Sequence, residues 1–146
     1  MLNGWGGSFI LDAVTGTILR ELKGYNAIFS PDGRYALARS GESAMLWQVD
    51  TGQLRLQLEG ATGCFVFSPD GSLVLSADSD KNSVCLWEIS SGRKRFEVHR
   101  QKSSYPPGVS SLAFAPDGAR CFVCFRSEAA YIWDVESGRE LLRLEG

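Results

Sequence analysis

Phe67-Ser68-Pro69-Asp70-Gly71 and, further on, Leu86-Trp87-Glu88-Ile89-Ser90-Ser91-Gly92 decide the fold, because both stretches recur. The first returns as Phe29-Ser30-Pro31-Asp32-Gly33 and as Phe114-Ala115-Pro116-Asp117-Gly118. The second returns as Leu46-Trp47-Gln48-Val49-Asp50-Thr51-Gly52 and as Ile132-Trp133-Asp134-Val135-Glu136-Ser137-Gly138. A weaker copy of it lies at Ile10-Leu11-Asp12-Ala13-Val14-Thr15-Gly16. Ordered repeats set the architecture ahead of any local reading. They also move the functional question from an active site to a surface.

The prolines Pro31, Pro69 and Pro116 stand 38 and then 47 residues apart, and the tryptophans 40 and then 46. Each Pro-Asp-Gly is a turn, with proline pre-setting φ and glycine free to take a positive φ. Within one repeat, the short runs 64–68, 73–77, 84–89 and 94–98 are separated by such turns or by the polar stretch 78–82. Strands of about five residues joined by short glycine-containing turns are hairpins in series, hence an antiparallel meander. A period of about 40 with four strands per period is the signature of propeller blades. Helical repeats of similar length would need long runs of period 3.6, and none is visible.

The fourth strand alternates most clearly in the first full repeat: Leu54, Leu56 and Leu58 on one side, Arg55, Gln57 and Glu59 on the other. A half-buried edge strand has this pattern. Outer strands are therefore expected at 18–23, 54–59, 94–99 and 141–145. The other three strands of a period are more continuously apolar and are expected to be packed on both faces.

These residues resemble the WD-repeat β-propeller family over nearly the whole chain. Trp133-Asp134 matches the name dipeptide, whereas Trp47-Gln48 and Trp87-Glu88 depart from it. The resemblance implies a scaffold for protein–protein contacts. It also implies a Gly-His pair after each outer strand, whose His joins a hydrogen-bonded network with a Ser/Thr, an Asp and the Trp. Here the pairs read Gly24-Tyr25 and Gly60-Ala61, and the third copy is Arg100-Gln101. The single histidine, His99, precedes that last site. Glu42, Asp80 and Glu128 stand near the position of the network Asp. The polar network is thus expected to be absent or replaced by apolar packing, since a half-built network costs more than none.

The fold class expected is all-β: a partial propeller of four-stranded antiparallel blades, three full and one N-terminal half blade. The expected domains are a partial blade at 1–24, blades at 25–60 and 61–100, and a blade at 101–146 carrying an inserted loop at 101–108. The 146 residues suffice for a real core. A net charge of −2 favours neither nucleic acid nor an anionic membrane. No apolar run reaches membrane-spanning length, and the N-terminus Met1-Leu2-Asn3-Gly4-Trp5 does not read as a signal peptide. The chain reads as part of a larger propeller in preference to one closed by self-association through open blade edges.

The cysteines are Cys64, Cys85, Cys121 and Cys124. Cys121-Phe122-Val123-Cys124 has the spacing of a metal or redox pair, but in a strand residues three apart point to opposite faces. With no second such pair, a zinc site is not expected. Reduced, buried thiols in a cytoplasmic setting are. One imidazole supplies no nucleophile triad or multi-histidine metal site. No catalytic, cofactor or metal residue is assigned, and the chain is not expected to be an enzyme.

The candidate partner contact is Arg93, Arg95, Arg100 and Lys102 with Tyr105 and Pro106 of the inserted loop, fitted to an acidic or phosphorylated protein. Pro31, Asp32, Gly33, Pro69, Asp70, Gly71, Pro116, Asp117 and Gly118 carry the turns. Trp47, Trp87 and Trp133 with Gly52, Gly92 and Gly138 carry the core and its closing turns. Trp5, among glycines, is an exposed candidate. The rival function is a piece of a quinoprotein-type enzyme propeller whose catalytic residues lie elsewhere, suggested by the resemblance of 11–16 to such repeats. RNA binding through the basic patch is a third reading, and it requires steep salt dependence.

Overall fold

The structure, a computed structural model, describes residues 7–100, 108–126 and 129–144. They divide into two compact units, Met1–Glu59 and Gly60–Gly146. In the first unit β1 (Gly7–Leu11) pairs with β2 (Ile18–Lys23) as a two-stranded sheet. A four-stranded meander follows: β3 (Tyr25–Phe29), β4 (Tyr35–Ser40), β5 (Ser43–Gln48) and β6 (Leu54–Glu59). The second unit holds two such meanders. One comprises β7 (Phe65–Phe67), β8 (Leu73–Asp78), β9 (Ser83–Glu88) and β10 (Lys94–His99). The other comprises β11 (Val109–Phe114), β12 (Arg120–Phe125), β13 (Ala130–Asp134) and β14 (Glu140–Leu144). Every pairing is antiparallel, and the three full blades are serial hairpins.

The two repeated signatures build the two hairpin ends of a blade. In the Pro-Asp-Gly turns, Gly33, Gly71 and Gly118 each donate their N–H to the carbonyl three residues back at 2.9 Å. The Asp carboxylate then accepts the N–H two residues on: Arg34 at 3.0 Å, Ser72 at 3.0 Å and Ala119 at 2.9 Å. At the other end Gly52, Gly92 and Gly138 donate to Gln48, Glu88 and Asp134, with φ of +68°, +70° and +67°. Only glycine adopts that φ without strain. The pairing register shifts where each outer strand leaves this turn, so Trp47, Trp87 and Trp133 oppose Leu54, Lys94 and Glu140 across a bulge.

β8 and β9 are buried along almost their whole length, as continuously apolar strands between neighbours should be. The innermost strand departs from that expectation: four of the five residues of β3 are exposed. β3 is an edge of its sheet and carries a ladder on one side only. In the second unit, Leu75, Ala77, Val84 and Leu86 of one blade form one cluster with Val109, Val123, Phe125, Tyr131 and Trp133 of the next. Phe125 meets Tyr131 and Trp133 edge-on, with ring centroids 5.8 and 6.4 Å away. In the first unit, Trp47 and Val49 cover Ile10, Leu22 and Ala36. Truncating a tryptophan so placed costs about 3–5 kcal/mol, a large part of a domain's stability.

Candidate functional site

The positive stretch that follows Gly92 is one outer strand, β10, and the structure divides it. Lys94 lies over the Trp87 ring, 5.0 Å from its centroid, and pairs with Glu97 at 2.6 Å. His99 approaches the same carboxylate at 3.4 Å. Lys94 is the first cause holding the Glu97 carboxyl below its ordinary value. Arg100 turns inward instead. Its guanidinium stacks on Tyr131 at 4.1 Å and pairs with Glu140 of the next blade. Arg93 and Arg95 are exposed, and among the described residues neither makes an ion pair. They stand at the far end of the strand from Arg100, roughly 20 Å away at ~3.3 Å per residue. Lys102, Tyr105 and Pro106 lie outside the described residues, as do Trp5 and Glu128.

The ends of the inserted loop are held by a residue to which the sequence drew no attention. Asn82 is buried at φ +52°. Its side-chain oxygen accepts the Gly108 N–H at 3.0 Å, its backbone carbonyl accepts the Arg100 N–H at 3.0 Å, and its side-chain amide donates to the Arg100 carbonyl at 3.4 Å. The Gly108 carbonyl in turn accepts the Arg126 N–H at 2.8 Å. Both flanks of 101–107 are thus tied to buried backbone. The only signal for this in the sequence is an Asn in a polar turn, a residue type that tolerates positive φ.

The expected loss of the buried polar network holds in one blade and fails in another. In the β7–β10 blade the Trp87 indole N–H donates to Ser76 at 2.9 Å. Asp78, not Asp80, is the turn carboxylate: it accepts the N–H groups of Asp80 and Lys81 at 3.0 Å and pairs with the Lys81 ammonium at 3.1 Å. Thr62, one residue past the missing histidine, places its hydroxyl within 3.5 Å of Asp78 and accepts the Ser79 N–H at 3.0 Å. The network is rebuilt around this threonine, with Ala61 standing where the histidine would be. In the β3–β6 blade, Ala38 stands at the register position of Ser76. Among the described residues the Trp47 indole N–H there is buried without an acceptor.

The turn carboxylates are consumed locally. Asp32 and Asp70 sit below the ordinary carboxyl value chiefly through the hydroxyls of Ser30 and Ser68, each donating at 2.6 Å. Asp117, with Ala115 in place of serine, is lowered chiefly by the Ala119 N–H. All four thiols are free. Cys121 is buried and Cys124 half-buried on alternating positions of β12. Burial pushes Cys85 and Cys121 up to about 11. Among the described residues, no group of three His, Cys, Asp or Glu side chains could hold a metal ion. Among them, too, no helix is long and apolar enough to cross a membrane.

The WD domain, G-beta repeat family model matches residues 52–88, the stretch that ends with the rebuilt network and Trp87. A periodic tryptophan protein 2 homolog of Schizosaccharomyces pombe is 33% identical over 121 residues, covering 80% of this chain and 14% of that protein. Small ribosomal subunit protein RACK1y of Oryza sativa is 31% identical over 116 residues, 75% of this chain and 32% of that protein. A crystal structure of RRP9 WD40 repeats superposes with a TM-score of 0.71 at 22% identity, covering 87% of this chain and 41% of that one. The chain belongs to the WD-repeat family, and its fold is a partial β-propeller of four-stranded blades. It spans between 14% and 32% of the length of these two relatives.

Proposed function

We propose that the chain is a non-catalytic module of a larger WD-repeat scaffold, acting in a reducing, cytoplasmic compartment and binding other proteins. Four free cysteines and similarity to WD-repeat proteins support this. Each sheet serves as a blade, with boundaries after residues 24, 60 and 100. The observation that carries the reading is the clamp at Asn82, which holds both flanks of an inserted loop on a rigid blade. Loops so mounted are preferred contact elements. Lys102, Tyr105 and Pro106 of the loop and Arg93 and Arg95 on β10 are the contact residues, and Arg100 sets the loop's base. An extended acidic or phosphorylated segment running along β10 meets both ends.

The test is quantitative co-purification with the full-length parent protein carrying Arg93→Glu/Arg95→Glu or Tyr105→Ala/Pro106→Ala. A reproducible partner set should fall by about tenfold or more in each variant, the loss of ~1.4 kcal/mol of contact, with unchanged melting. Partner recovery that is indifferent to both pairs would sink the contact assignment. Turnover of a small-molecule substrate by the purified parent, abolished by changes within this chain, would sink the scaffold reading and revive the quinoprotein-type alternative.

A further inference from the structure

The first unit holds a cavity of about 530 Å³ lined by Gly7, Glu21, Lys23, Tyr25, Arg39 and Ser40 among others. Arg39 lies on β4 opposite Ala44, the register position filled by Ala77 and Cys124 in the other two blades. A guanidinium therefore replaces a small side chain. It lies over the Tyr25 ring at 5.6 Å from the centroid. Its Nε is buried and, among the described residues, has no hydrogen-bond partner. The side chain as a whole is half-buried and lines the cavity, and a guanidinium with an unsatisfied N–H takes an oxyanion as its best-matched partner. In the β7–β10 blade the turn carboxylate Asp78 accepts a hydrogen bond from Thr62.

The backbone around the cavity is also unusual. Gly24 has φ +122°, and a Cβ there would lie 2.6 Å from the Arg39 carbonyl oxygen. Asn26 has φ +54°, within a register shift between Tyr25 and Ile28. The lining carries two cations, Lys23 and Arg39, against one carboxylate, Glu21, which lies against Gly7. The volume is that of a pocket taking a side chain with its flanking backbone.

We infer that this cavity receives an oxyanion-bearing side chain of a partner peptide, glutamate or a phosphorylated residue, on the fork of Arg39 with Lys23 at its rim. The planar guanidinium matches either oxyanion in bidentate geometry. This rests on the scaffold reading but uses a site separate from β10 and the 101–108 loop.

The experiment titrates the full chain with three capped hexapeptides that differ only at one central residue: glutamate, phosphoserine or glutamine. The glutamate or the phosphoserine peptide should bind at least tenfold tighter than the glutamine peptide, and the tighter of the two names the group. Arg39→Gln should erase that preference, and Lys23→Gln, at an exposed position that leaves the fold intact, should reduce it at least threefold. Three peptides binding alike, or not at all, overturn the inference, as does a preference that survives either substitution. Peptides that bind alike while the parent's partners still co-purify leave the scaffold reading standing and overturn this pocket.

Discussion

The indole N–H of Trp87 reaches the hydroxyl of Ser76 across the neighbouring strand at 2.9 Å, with both side chains buried. The same register position is Ala38 beside Trp47 and Val123 beside Trp133, and neither offers an acceptor. One blade therefore keeps a polar tie between its two central strands, and the others rely on apolar packing there.

Ser76→Ala should lower stability by about 1–3 kcal/mol, because it strands a buried donor. Ala38→Ser offers the Trp47 N–H an acceptor and should raise stability by ~0.5–1.5 kcal/mol. Urea midpoints at constant slope measure both. A neutral Ser76→Ala would mean that the indole finds another partner.

Gly60 and Gly33 separate backbone strain from crowding. Both have positive φ, +76° and +72°, but a Cβ on Gly60 would lie 2.8 Å from the Asp78 carboxylate whereas one on Gly33 meets nothing. Gly33→Ala should cost about 1–2 kcal/mol, the strain of a left-handed residue. Gly60→Ala should cost clearly more, because the Asp78 carboxylate must also move. Equal costs in thermal melts would show that Asp78 moves aside freely.

Acid should weaken the fold through its turns. Asp12, Asp32, Asp70, Asp117 and Asp134 all lie below the ordinary carboxyl value, held there mainly by hydrogen bonds from Thr15, Ser30, Ser68, Ala119 and Ser137 respectively. A carboxyl so held binds its proton less readily in the folded chain than in the unfolded one. Its contribution is full above the unfolded value of about 3.9 and is lost as pH falls through the lower folded value. Melting temperature should drop between pH 5 and pH 2, and Asp70→Asn should make that drop shallower. An unchanged profile would remove the turns from the acid response.

Thiol labelling should divide by burial. Cys85 and Cys121, raised to about 11 by desolvation, should react with a thiolate-selective reagent at pH 8 at least tenfold more slowly than in denaturant. Equal rates in the two conditions would mean that these strands open readily.

Much of the fold was legible. β2, β6 and β10 occupy the segments where alternation placed outer strands, because a period of two shows directly in the side chains. β7 is shorter than the run 64–68, since an apolar run does not show that its first and last residues leave the ladder. Asp80 stands near the expected position of the network carboxylate, yet Asp78 fills the role, because the polar stretch 78–82 carries no periodicity to tell the two apart. Arg100 read as one more surface cation beside Arg93 and Arg95, although its stem and charge are spent on Tyr131 and Glu140.

The repeats, their turn glycines and their alternating strands were settled in the sequence, because each depends on φ preferences and side-chain periods within a few residues. Three pairings were decided only when blades stacked: Arg100 with Glu140, 40 residues on; Asn82 with Gly108, 26 residues on; and the Arg39 guanidinium with the cavity beside Lys23. Repeat spacing says that one sheet follows another, but which side chains meet depends on how those sheets pack side by side, and that is a property of the folded chain.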